Sequence, residues 1–101
     1  MSDPLTTKVE SIFLDVEREL HAAMNKFPTW PTDRIHAMAV VQEEIGELQK
    51  DILQATYEPN KTTAEAIDKE AIQSIAMLVR LLVSHRCGDY EHIYTIQHKQ
   101  D

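Results

Sequence analysis

The stretch VVQEEIGELQKDI, residues 40–52, combines a regular apolar spacing with four acids. On a helical wheel at about 100° per residue, the apolar arc lies from about 120° to 200° when Glu43 is placed at zero. Glu47, Asp51 and Glu44 fall between about 40° and 100°, on the shoulder of that arc and not at the solvated pole. The stretch therefore predicts an amphipathic helix whose acids border its buried face. Its predicted core positions are Val41, Ile45, Leu48, Ile52 and Ala55.

The rest of the chain indicates an all-α protein with three main helices and a short C-terminal segment. Only 2 glycines and 4 prolines occur in 101 residues, which is unfavourable for a turn-rich β protein. Helices are expected over residues 8–26, 33–57 and 65–86. Residues 88–101 are expected to form either a short fourth helix or an extended tail. This length suits a single domain, with its core over about residues 8–87.

Helix ends are predicted from capping residues. The expected N-caps are Thr6 or Thr7 for the first helix, Thr32 or Asp33 for the second, and Thr62, in capping-box spacing with Glu65, for the third. Gly88 is expected to form the left-handed stop of the third helix. Gly46 stands mid-helix at a cost of about 1 kcal/mol against Ala, which predicts the close approach of another helix or a ligand.

The third predicted helix also carries an acidic residue on an apolar surface. Residues 71–83, AIQSIAMLVRLLV, are apolar nearly all round, which predicts burial on several sides, including by a second subunit. Glu70 projects from this apolar surface, and a buried carboxylate needs a partner or a proton. In one interpretation Glu44 and Glu47 face Glu70 across a helix pair and share a divalent cation. In the other, the acids form a solvated helix face.

Composition limits the partners. The formal net charge of −7 makes duplex nucleic acid an unlikely ligand, because such binders are normally basic. No stretch reaches the roughly 18 apolar residues of a membrane span, so no membrane partner is expected. The single cysteine, Cys87, and an N-terminus without a secretory signal pattern predict a cytoplasmic location.

The acids also follow a known pattern. Glu43, Glu44 and Glu47 in EEIGEL, followed by Glu70 on an apolar helix, resemble the E-E-x-x-E and E-x-x-D elements of the MazG-like all-α nucleotide pyrophosphohydrolases. The resemblance covers most of the chain. It departs at Gln73, where the pattern expects Asp.

The resemblance implies a fold and an activity. The fold is a MazG-like helical bundle, in which a four-helix bundle is completed by assembly into a homodimer or homotetramer. The activity is Mg²⁺-dependent (or Mn²⁺-dependent) hydrolysis of a nucleoside or deoxynucleoside triphosphate to monophosphate and pyrophosphate. The implied metal ligands are Glu43, Glu44, Glu47, Glu70 and Gln73, with Glu43 and Glu47 also catalytic. An alternative register, Glu65 with Asp68, gives a literal E-x-x-D but lies about 140° or more around the helix from Glu70.

Three further residues are candidate substrate contacts. Trp30, in the loop KFPTWPTD, is either a wall for stacking a base or a hydrophobic plug over the bundle end. Lys26 is a candidate phosphate contact, and His36 is either a substrate contact or a hydrogen-bonded structural residue. Gln73 also leaves open a non-catalytic MazG-like module that binds nucleotide or a protein partner. A plain helical oligomerisation domain is the third possibility.

Overall fold

The computed structural model describes residues 3–91, which form three α-helices and no strand. They are α1 (Pro4–Lys26), α2 (Arg34–Tyr57) and α3 (Ala64–Arg86). The prediction of an all-α chain with three main helices is therefore confirmed. The predicted C-terminal helix or tail falls mainly on residues outside this range. None of the described helices is both long enough and apolar enough to cross a bilayer.

The first helix begins earlier than the sequence predicted. Asp3 is its N-cap: the Thr6 backbone N–H donates to Asp3 Oδ1 at 3.0 Å, and Pro4 follows at the first helical position. The predicted cap at Thr6 or Thr7 is wrong, because proline is well suited to the first turn and Asp3 already supplies the acceptor.

The other helix ends agree more closely with prediction. Asp33, one of the two expected caps of α2, accepts from the His36 backbone N–H at 2.9 Å. Thr63, not Thr62, caps α3, since its hydroxyl accepts from the Ala66 backbone N–H at 3.1 Å. Gly88 adopts a φ of 73°, which confirms the left-handed stop after α3.

Helix α3 packs against both other helices, whereas α1 and α2 make no close backbone approach to each other within residues 3–91. The expectation that residues 71–83 are buried on several sides is met only in part within one chain, because two helices pack on α3 but Ile75, Leu78, Leu82 and Val83 remain exposed. The residues buried at these two contacts and beneath the segment after α3 are Val16, Ala37, Val41, Ser74, Ala76, Arg80 and Tyr90.

The buried face of α2 is rotated from its predicted position. Val41 is fully buried and Leu48 is half-buried, but Ile45 and Ile52 are 38% and 45% exposed. Among the described helices α3 alone packs on α2, so only a narrow strip of the α2 surface is buried. This strip lies on the side of α2 that carries Glu44. No other helix of the described chain makes the close approach predicted at Gly46, since no atom outside the surrounding backbone of α2 lies within 4 Å of the position a Cβ would take.

The segment after α3 folds back onto the loop between α1 and α2. The Glu91 backbone N–H donates to the Thr32 carbonyl at 2.7 Å. The buried Tyr90 hydroxyl accepts from the Trp30 indole N–H at 2.7 Å and donates to the Leu81 carbonyl at 3.3 Å. These contacts hold Trp30 against the end of α3, as the plug interpretation predicted.

Exposed apolar side chains remain on all three helices. On α1 they include Leu5, Val9 and Ile12, and on α3 they are Ile75, Leu78, Leu82 and Val83. Within each helix most of these residues recur every three or four positions, so they share a face. A face of this kind is expected to be covered in an assembly.

Candidate functional site

A groove of about 410 Å³ lies where the C-terminal half of α1, the following loop, α2 and α3 meet. Lys26 and Trp30 line it from α1 and the loop, Glu44 from α2, and Gln73 and Arg80 from α3. The structure therefore brings together four of the predicted site residues, Lys26, Trp30, Glu44 and Gln73. Glu43, Glu47, Glu70 and His36 do not line this groove.

Glu44 connects the groove to an acidic cluster. Burial raises the pKa of Glu44 above its ordinary value, and the charge of Glu70 raises this pKa further. Weaker contributions in the same direction come from Glu43, Glu47 and Glu19. The charges of Glu44 on α2 and Glu70 on α3 therefore act on each other across the helix pair.

Glu70 is the most constrained of these acids. Burial is the main cause of its raised pKa, and the charges of Asp51 and Glu47 add to it, while Lys69 opposes them. The Glu70 Oε2 atom is buried and has no hydrogen-bond partner within residues 3–91. A buried carboxylate oxygen in this condition is stabilised either by a proton or by a cation.

The acidic cluster around Glu44 and Glu70 has the side-chain chemistry that a hard divalent cation prefers. Carboxylate oxygens are the ligands that Mg²⁺ and Mn²⁺ prefer, and the orphaned oxygen of Glu70 is available for one. Within residues 3–91 no three acidic, histidine or cysteine side chains already converge as a ligand set. Since Glu43 and Glu47 are exposed, their side chains are free to rotate toward a bound ion.

Gln73 lies half-buried in the groove, three residues after Glu70 on α3. Its amide offers one neutral oxygen at the position where the resemblance expects an acid. The substitution lowers the negative charge near Glu44 and Glu70. It therefore reduces both their repulsion in the free protein and their attraction for a cation.

Arg80 forms the other end of the groove and was not predicted as a site residue. It is 6% exposed, its guanidinium lies 4.6 Å from the centre of the Trp30 ring, and it donates to the Phe27 carbonyl at 2.9 Å. The sequence did hold a signal, because Arg80 is the one charged residue within the apolar run 71–83. A charge in such a run needs a structural or functional partner.

Asp51 and Glu19 were also missed as members of the acidic cluster. Asp51 continues the acid stripe of α2 and is not among the implied ligands, yet it is half-buried and its charge raises the pKa of Glu70. Glu19 belongs to α1, and its effect on Glu44 depends on how α1 packs, which the sequence pattern does not give.

Two of the substrate candidates have structural roles. The exposed His36 lies at the start of α2, where its Nδ1 is 2.6 Å from Asp33 Oδ2, so its contacts fit the structural alternative. Trp30 both plugs the end of α3 and lines the groove. Its two proposed roles are therefore compatible.

No protein-family model matches the chain, and no curated protein or solved structure is significantly similar to it. The resemblance to MazG-like enzymes therefore depends on the motif residues of the sequence alone.

Proposed function

We propose that the protein is a Mg²⁺-dependent nucleotide pyrophosphohydrolase, which hydrolyses a nucleoside or deoxynucleoside triphosphate to monophosphate and pyrophosphate. The observation that carries the proposal is the buried Oε2 of Glu70, which has no hydrogen-bond partner in the described chain beside the charges of Asp51 and Glu47. An acidic cluster with an uncompensated buried oxygen is unfavourable without a cation. The EEIGEL motif supplies the acids of α2.

The roles of the residues are those that the MazG-like resemblance implies. Glu44, Glu47 and Glu70 are assigned as the main metal ligands, with Gln73 as a weak neutral one. These residues would hold Mg²⁺, which when bound would supply positive charge to phosphate oxygens and favour ionisation of water. Glu43 and Glu47 are exposed acids assigned to orient the attacking water and accept its proton. Attack at the α-phosphorus breaks its bond to the bridging oxygen, and pyrophosphate leaves.

Assembly into a homodimer or homotetramer is part of the proposal. Its support is the set of exposed apolar side chains on α1 and α3, which a second chain would cover. Because residues 3–91 supply three helices, a partner chain would supply the further helices of the proposed four-helix bundle.

The function is tested by product analysis on a panel of ribo- and deoxyribonucleoside triphosphates, with Mg²⁺ and with Mn²⁺. We expect monophosphate and pyrophosphate from the wild type and a loss of at least about 100-fold in rate for Glu47→Gln. Glu17→Gln, which alters an exposed acid of α1, is the matched control and should retain activity. Release of diphosphate and phosphate would show that a different bond is cleaved. Absence of turnover on every nucleotide at high enzyme concentration would refute the catalytic proposal for this panel.

The second candidate function is a non-catalytic module. It is favoured by the presence of Gln73 where the resemblance expects Asp. The neutral amide lowers the charge available to hold a metal in the groove. This candidate predicts saturable binding of nucleotide without turnover. A plain oligomerisation domain predicts neither. Titration with Mg²⁺ in the presence and absence of nucleotide therefore separates it from the other two, and the turnover assay separates those two from each other.

A further inference from the structure

Arg80 is a nearly buried cation without an acidic partner in the described chain. Only 6% of its surface is exposed, and within residues 3–91 no ion pair involves its guanidinium. Burial lowers the pKa of Arg80 from its ordinary value, and the nearby Tyr90 acts in the opposite direction. Arginine nevertheless stays protonated in proteins. Among the described residues, a full positive charge is therefore held at the groove without a carboxylate in direct contact, although Glu19 and Glu44 line the same groove.

The contacts that Arg80 does make leave most of its donors free. One N–H bond goes to the Phe27 carbonyl at 2.9 Å, and one face of the guanidinium lies over Trp30. These contacts orient the planar group but satisfy only part of its donor set. Because Arg80 lines the groove, its other N–H groups are available to a ligand there.

A second cation lines the same part of the groove. Lys26, at the end of α1, is exposed and lies with its Nζ 5.4 Å from the centre of the Phe27 ring. The groove thus has a basic end, formed by Arg80 and Lys26, and an acidic end at Glu44. A ligand that spans it must present negative oxygens at the basic end and a cation at the acidic end.

Along α3 the groove extends over a length comparable to that of one small ligand. Gln73 and Arg80 are separated by seven positions on α3, or about 10 Å along the helix axis. Both side chains point back toward the N-terminus of α3, so the distance between their polar groups is of the same order as this separation.

We propose that Arg80 and Lys26 form an anion-binding subsite that takes the terminal phosphoryl oxygens of a polyphosphate ligand. That the ligand is a polyphosphate rests on the proposed function, whereas the need for an anion follows from Arg80 itself. Under that function, the subsite holds the pyrophosphate portion while the acidic end holds the metal. The planar guanidinium suits paired phosphoryl oxygens, and Lys26 adds charge.

The test is a titration of the metal-free protein, in EDTA, with inorganic pyrophosphate. Trp30 is the single tryptophan of the chain and lies against Arg80, so its fluorescence reports occupancy of the subsite. We expect saturable binding that weakens at higher salt. Loss of hydrogen bonds from a charged donor should weaken binding by about tenfold or more in Arg80→Met. Lys26→Met should lose several-fold, in the range of about three- to tenfold.

Lys50→Met, which removes an exposed lysine of α2 outside the groove, is the matched control and should bind as the wild type does. Lys26→Met keeps the test valid if Arg80→Met fails to fold, because Lys26 is exposed. Wild-type affinity in either variant, when folded, overturns the subsite. So does the absence of saturable binding, or equally tight binding of an uncharged nucleoside, which would indicate recognition of a base.

The outcome is independent of turnover. Pyrophosphate binding that depends on Arg80, without hydrolysis of any nucleotide, would retain the subsite and refute the proposed enzyme. Hydrolysis together with pyrophosphate binding that is unaffected by Arg80→Met would retain the enzyme and overturn the subsite.

Discussion

Glu70 combines a buried, unpartnered oxygen with neighbouring negative charges, and this determines how the free protein responds to pH. The pKa of both Glu70 and Glu44 is raised above the ordinary value of 4.5, first by burial and then by other acids. The folded state therefore holds these protons more tightly than the unfolded chain does. Their stabilising contribution is complete below pH 4.5 and is lost as the pH rises through the raised values.

Glu70→Gln should stabilise the metal-free protein at neutral pH. The amide removes the negative charge of Glu70, which is repelled by those of Asp51 and Glu47. Each like-charge repulsion costs several tenths of a kcal/mol, so the free energy of unfolding should rise by an amount on the order of 1 kcal/mol. Urea unfolding in EDTA at pH 5 and pH 8 measures it, with Glu17→Gln as the control. A variant that loses stability equally at both pH values would show that the charge of Glu70 is not the cause.

Gln73→Asp should strengthen metal binding. The new carboxylate adds a negative charge beside Glu44 and Glu70, so the Kd for Mg²⁺ should fall by about tenfold. The same charge should lower the stability of the protein in EDTA. Calorimetric titration with Mg²⁺ checks the first effect and urea unfolding the second. An unchanged Kd would indicate that residue 73 does not face the ion.

At the scale of elements, the helix ends show which features of secondary structure can be predicted from local sequence. Periodicity placed α2 and α3 to within a few residues, and Gly88 was correctly assigned because few other residues adopt a positive φ. The caps at Asp3 and Thr63 were missed because adjacent residues offered equally good acceptors. A choice between neighbouring caps depends on backbone dihedrals, which the side-chain pattern does not encode.

Thr63→Ala should cost about 1 kcal/mol of stability, because it removes the acceptor for the Ala66 backbone N–H. Thr62→Ala, one residue earlier, should change stability by less than about 0.5 kcal/mol. Thermal and urea unfolding of the two variants compare them directly. The opposite order would place the cap at Thr62.

The candidate site was predicted from the sequence only in part. Helical spacing sufficed to bring Glu44 toward Glu70, because it depends on the faces of two long helices. Arg80 and Glu19 were not assigned to it. Their position at the groove depends on how α1 and its loop pack on α3, and a single sequence contains no direct signal for that packing.

At the scale of the whole molecule, α3 is covered by two helices and yet exposes Leu78 and Leu82. A chain of this size gains little by leaving such residues in water. The side chains at these positions are therefore expected to lie in the proposed contact between chains.

Leu78→Glu should disrupt self-association, since it places a charge among apolar side chains. Sedimentation should show a smaller species, and the Tm of the variant should lose the dependence on protein concentration expected for the wild type. Leu14→Glu is the control, because Leu14 is exposed on the side of α1 opposite Leu5. A wild type that sediments as a monomer at all concentrations would contradict the proposed assembly.

The absence of close approach between α1 and α2 in residues 3–91 has a kinetic consequence. Helices α2 and α3 are joined by a short loop and can form a helical hairpin through local contacts, whereas α1 must dock on α3 across a long separation in sequence. Amide protons of α1 should then exchange with deuterium faster than those of α3, through openings that leave the hairpin intact. Each such opening removes one wall of the groove, so a bulky ligand gains entry by transient detachment of the first helix.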